Sequence, residues 1–191
     1  MNDASREDAV ADSSTNAVTP QLTYLVASPH MTGGMFDRSV VLLLEHGETG
    51  AMGLVVSLQT DMPIGELLQS AKGRQERAWL GGPVEPQVGW CLYERPTHQP
   101  GELRLAPTLY VTSSLEVLQA VLDEGGKFML LLGYAGWSAG QLEEETRSGN
   151  WLWLESGAEL AMDYPPEERW DRAFEMLGVD PTTFVHGGAR A

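Results

Sequence analysis

SVVLLLEHGETGAMGLVVSL, from Ser39 to Leu58, decides how this chain folds. Ser39 to Glu45 is apolar almost throughout, and Gly50 to Leu58 is nearly so. The HGETG between them is polar and carries glycine. Continuous apolar runs of this length suit strands covered on both faces, and a short polar link with glycine suits a hairpin. Working outward, Leu22 to Ala27 reads as an earlier strand. Downstream, Asp61 and Pro63 can open a short helix that places Ile64, Leu67, Leu68 and Ala71 on one side.

The second half keeps the same character. Trp79 to Tyr93 reads as a strand, a turn at Gly81-Gly82-Pro83 and another strand, and weaker strands are expected at Leu103–Leu105 and Leu109–Thr112. Ser113 with Glu116 fits a capping box for a helix carrying Leu115, Leu118 and Leu122 to a stop at Gly125. Phe128 to Tyr134 is an apolar strand. Ser138 with Gln141 fits a second capping box, for a helix ending near Gly149. Trp151 to Leu154 is a last strand, with Trp151 and Trp153 on one face. Pro165-Pro166 opens a final helix with Trp170, Phe174 and Leu177 inward and Gly178 at its end. Hairpin-like links argue for an α+β fold, a mixed and mainly antiparallel sheet with peripheral helices, rather than a doubly wound parallel sheet. Residues 21–180 read as one domain. Residues 1–20, polar and acidic, read as a disordered tail, and 181–191 as a C-terminal tail.

Composition narrows the function. Twelve basic against 27 acidic residues give a formal charge of −15. Affinity for nucleic acid rests largely on Lys and Arg neutralising phosphates, so this balance argues against direct nucleic-acid binding. Cys91 is the single cysteine, which leaves no intramolecular disulfide and no cysteine-based zinc cluster. No apolar stretch approaches the roughly 20 residues of a membrane span. The N-terminus lacks the basic start and apolar centre of a secretion signal, so cytoplasmic residence is the expectation.

Candidate chemistry concentrates in GYAGWSAGQLEEE, Gly133 to Glu145. Three glycines with a tyrosine and a tryptophan suggest a tight turn over a shallow cleft, lined by Tyr134, Trp137 and glycine amides. A helix starting at Ser138 would offer unpaired amides to a small anionic group. The opposing reading is that Gly33-Gly34, Gly81-Gly82 and Gly133–Gly140 only shape turns. His30 and His46 lie at strand ends, with Glu45 beside His46; the three match no metal-ligand spacing, and the histidines read as hydrogen-bonding residues near turns. Cys91, between Trp90 and Leu92 in an apolar strand, reads as a buried inert thiol. Glu143-Glu144-Glu145 reads as a solvated helix face. No nucleophile elbow, P-loop, HExxH or dinucleotide fingerprint is present, so no catalytic residue, metal or cofactor is assigned.

Several stretches together resemble the YqgE/AlgH family of bacterial proteins: LVASPHM (Leu25–Met31), FDRSVVLLLEHGETGAMGLVV (Phe36–Val56), LGGPV (Leu80–Val84), and GYAGWSAGQLEEE with the following NWL. They occur in the family's order over roughly Leu22 to Leu177. The resemblance implies a compact α+β fold with a flattened, partly closed, barrel-like sheet. It implies no defined activity, only the label of a transcriptional regulator. It also implies a shared surface at Pro29, Ser39, Glu45, His46, Gly53, Gly82, Pro83, Gly136, Trp137 and Gln141. Two departures stand out: Gly33-Gly34-Met35 replaces a common D-P-x, and Ser57-Leu58 replaces a common Asn-containing pair.

Three functions follow, in order. The first is a cytoplasmic binding protein for an unknown protein partner, regulating gene expression indirectly. The second is a small-molecule-binding protein or enzyme using the Gly/Trp-lined cleft. The third is a direct DNA-binding regulator. Trp137→Ala is expected to abolish binding on the first two readings and leave the fold intact.

Overall fold

The computed structural model describes residues 21–183. The tail expected over 1–20, and residues 184–191 of that expected over 181–191, lie outside the described residues.

The central hairpin forms as its sequence predicts. β2 (Val40–Gly47) and β3 (Gly50–Val55) run antiparallel, with Val41 opposite Val55 and Gly47 opposite Gly50. The register slips between Leu43 and Glu45, a bulge that separates the buried half of β2 from its exposed end. β1 (Leu22–Ala27) lies against β2 on one side and against β10 (Trp151–Ser156) on the other. β3 pairs on its far side with β9 (Phe128–Ser138), which continues to β6 (Val84–Tyr93), β8 (Leu109–Thr112) and β7 (Leu103–Ala106). β5 (Arg77–Leu80) joins β9 in the one parallel pairing among the described residues, and β4 (Gln59–Pro63) pairs with β5. The result is a curled, mostly antiparallel half-barrel in a single domain, as the sequence and the resemblance led us to expect.

Helices close the sheet on both faces. α1 (Ile64–Leu67) and α2 (Leu115–Glu124) cover a core of Cys91, Tyr93 and Leu130. α3 (Gln141–Arg147) lays Leu142 over Leu25, Val41, Val55 and Trp137. α4 (Glu159–Met162) and α5 (Arg169–Leu177) pack Leu160, Trp170 and Phe174 against Tyr24, Val26, Val40 and Leu54 on the opposite face. Because the sheet has cover on both sides, its central strands read as continuous apolar runs instead of alternating ones.

Two glycines join the halves of the sheet. A Cβ on Gly82 would lie 1.9 Å from the Tyr134 carbonyl carbon, and one on Gly81 would lie 2.4 Å from the Gly133 oxygen. Backbone here crosses directly over backbone, and no side chain fits between.

Three local expectations need correction. GYAGWSAG is not a turn: β9 runs on to Ser138, because pairing of Ala135–Ser138 with Gly50–Gly53 satisfies backbone groups that the glycine content had suggested were free. The helix expected at Ser138 therefore starts later, behind Gly140 in left-handed conformation. Gln141 still reaches back as a capping residue would, its Oε1 accepting from the Ser138 N–H at 3.0 Å and hydroxyl at 3.1 Å. In α2 the cap is Ser114, not Ser113; its Oγ accepts from Val117 N–H at 3.4 Å. β4 and α4 were not foreseen. Both are short, and β4 is largely exposed.

Candidate functional site

The exposed end of the β2–β3 hairpin and the last residues of β9 enclose an open groove of about 540 Å³. Its lining includes Glu45 and His46 from β2, Thr49 from the turn, Met52 from β3, and Tyr134 and Gly136 from β9. Strand alternation explains the division of labour on β9. Ala135 and Trp137 are buried beneath α3, whereas Gly136, opposite Met52, is exposed.

Electrostatics at the rim are acidic. His46 Nε2 lies 2.7 Å from Glu143 Oε1 across from α3, and its ring sits 5.1 Å from that of Trp153. The hydrogen bond with His46 holds the Glu143 carboxyl below the usual glutamate range. No lysine or arginine lines the groove.

Behind the groove, Glu145 accepts three hydrogen bonds. Trp137 and Trp151 each donate an indole N–H to its Oε2 at 2.8 Å, and Gln141 Nε2 donates to its Oε1 at 2.9 Å. The two indoles meet edge to face, with centroids 5.8 Å apart. This arrangement fixes α3 on the sheet and so sets the position of Glu143.

The structure gathers only part of the surface implied by resemblance. Glu45, His46, Gly136 and Trp137 line one groove, though the Trp137 side chain is turned into the core. Gln141 is spent on Ser138 and Glu145. Pro29 and Ser39 lie at the opposite end of β1 and β2, where Ser39 is fully buried and its hydroxyl has no hydrogen-bond partner. Gly53 is buried where a Cβ would meet Val41 Cγ1 at 2.7 Å, and Gly82 is buried in the backbone crossing, with Pro83 exposed beside it. At the departure from the family's Asn, Ser57 Oγ accepts from Val40 N–H at 2.9 Å, a bond that ties the two hairpin strands together.

Sequence reasoning missed Met52, Thr49 and Val84 as groove residues, and missed Glu143 as the partner of His46. A three-glutamate run carries no signal that one member faces a histidine and another faces two indoles. Cys91 is buried, and burial pushes its thiol up to about 12. Among the described residues no group of three or more His, Cys, Asp or Glu side chains could hold a metal ion. No helix among them is long and apolar enough to cross a membrane.

Comparison with known proteins agrees with this architecture. A family profile described as AlgH-like matches residues 24–182. A UPF0301 protein of Myxococcus xanthus is 39% identical over 170 residues, covering 85% of this chain and 93% of its own, and one from Ralstonia pickettii is 36% identical over 167 residues, covering 83% and 88%. The solution structure of the AlgH protein from Pseudomonas aeruginosa superposes with a TM-score of 0.71 at 31% identity, covering 97% of this chain and 98% of that one. A crystal structure of a Corynebacterium diphtheriae protein, 24% identical, shares the fold with a TM-score of 0.66 over 84% of this chain and 87% of its own. With a profile spanning nearly the whole described domain and relatives aligned along most of their length, this chain belongs to the AlgH-like family.

Proposed function

We propose that this protein works by binding a protein partner in the groove between the β2–β3 hairpin and the end of β9, and that any effect on gene expression passes through that partner. One observation carries the reading. Glu45 and the His46–Glu143 pair stand beside a floor of Met52, Tyr134 and Gly136, on strands held rigid by the sheet and by the Glu145 anchor. An open, acidic groove of this kind suits a segment with basic and apolar side chains. It suits a small anion poorly, since no lysine or arginine lines it and the Ser138 amide is already bonded to Gln141. The charge of −15 weighs against contact with operator DNA. Cytoplasmic residence belongs to the same proposal, supported by the lone, buried thiol in place of a disulfide framework.

The test uses a partner co-purified from the host and titrated against purified protein. Gly136→Trp fills the groove, and Tyr134, whose ring edge a Cβ would meet at 3.3 Å, can swing to admit it. Glu45→Arg reverses an exposed charge. Each is expected to weaken binding at least tenfold with the melting temperature unchanged. Affinity indifferent to both variants contradicts the proposal, as does a groove that retains a small molecule in place of a protein.

A further inference from the structure

A second cavity, of about 340 Å³, lies where α2 packs across β6. The backbone explains why it exists. Pairing of β6 with β9 jumps from Val84 opposite Tyr134 to Gly89 opposite Leu132, so residues 85–88 of β6 face Gly133 alone. Glu85 takes a positive φ of 47° in this bulge, and Pro86 and Gln87 become part of the cavity wall. Gly89 then leaves the floor without a side chain. A Cβ there would meet only Leu130 Cδ1, at an ordinary 3.5 Å.

The lining is apolar within and polar but uncharged at the mouth. Leu67, Leu118 and Leu130 form the walls, and no lysine, arginine, histidine, aspartate or glutamate takes part. Thr112 donates its hydroxyl to Gly101 O, and Ser114 Oγ accepts from Val117 N–H. Ser113 and Gln87 are exposed at the mouth, and among the described residues neither side chain makes a hydrogen bond within the protein. Leu115, beside them, is 64% exposed, a large apolar surface held at the entrance.

We propose that this cavity binds an uncharged amphiphile, an apolar chain or ring whose single neutral polar end hydrogen-bonds to Ser113 and Gln87. Charge matching selects the class. No counter-charge lines the cavity to hold a carboxylate or ammonium group, whereas a hydroxyl or amide can hydrogen-bond with the exposed side chains of Ser113 and Gln87 at the mouth. The volume lies at the small end of ligand pockets, which run from about 300 to 1,000 Å³. This site is independent of the groove proposed for a partner.

The probes are 1-octanol, octanoate and octylammonium, equal in chain length and different in charge, titrated while methyl resonances are followed by NMR. Octanol is expected to give saturable shifts confined to Leu67, Leu115, Leu118 and Leu130, with both ions at least tenfold weaker. Gly89→Leu fills the floor and is expected to abolish the shifts at unchanged melting temperature; if that variant does not fold, Gly89→Val takes its place. Gln87→Ala with Ser113→Ala is expected to weaken octanol about fivefold. Absence of saturable shifts, equal binding of either ion, or full binding by the filled variant overturns the proposal.

Discussion

Glu145 does more for this structure than its place in an acidic run suggests. Its carboxylate is the hydrogen-bond partner of two largely buried indoles. Glu145→Ala strands both N–H groups, each costing about 1–3 kcal/mol, so a total loss of about 2–6 kcal/mol is expected in urea unfolding. A loss below about 0.5 kcal/mol would show that the bonds contribute little. Trp137, 7% exposed, belongs to the same cluster. Trp137→Ala is therefore expected to cost about 3–5 kcal/mol of stability, and it reports on the core rather than the groove. Glu143 carries the pH dependence at this scale. The carboxyl of Glu143 is held low in the folded protein, so the contact is complete above the ordinary glutamate value of 4.5 and is lost as pH falls through the lowered one. Carboxyl-carbon NMR should place the Glu143 midpoint below 4.5, and His46→Asn should raise it. A midpoint unmoved by that substitution would separate the two residues.

At the scale of elements, the hairpin was legible because runs such as VVLLL admit few alternatives, and α2 and α5 were legible from their apolar spacing and terminal glycines. The end of β9 was not. Glycine-rich sequence suggests a turn, and only the pairing of Gly136 with Met52 shows that the glycines serve a strand. The candidate site was half legible for the same reason. Glu45 and His46 stand out as polar residues ending an apolar strand, but Gly53 and Gly82 look like binding residues when their absent side chains answer to sterics inside the fold. Gly82→Ala tests this directly. The new methyl would overlap the Tyr134–Ala135 peptide, 1.9 Å from its carbonyl carbon, so backbone would have to move, and a loss exceeding about 3 kcal/mol or failure to fold is expected. A stable Gly82→Ala protein with impaired binding would return Gly82 to the site.

At the scale of the whole molecule, the sheet presents a rigid support with both faces covered, which leaves strand ends and bulges as its places for recognition. The hairpin groove and the cavity beneath α2 are two such places, and their chemistries differ. The hairpin groove is acidic, and the cavity beneath α2 is uncharged. The charge of −15 extends the acidic character beyond the groove, so association with a basic partner should slow as salt rises. The most direct measurement is photocrosslinking in the native host, with a photoreactive residue placed at Thr49 in the groove and, as control, at Glu167, exposed beside α5. One protein recovered reproducibly from position 49, absent from position 167 and lost when Gly136→Trp is added, is the predicted result. Equal capture from both positions, or capture at 49 that survives the filled groove, would contradict the account.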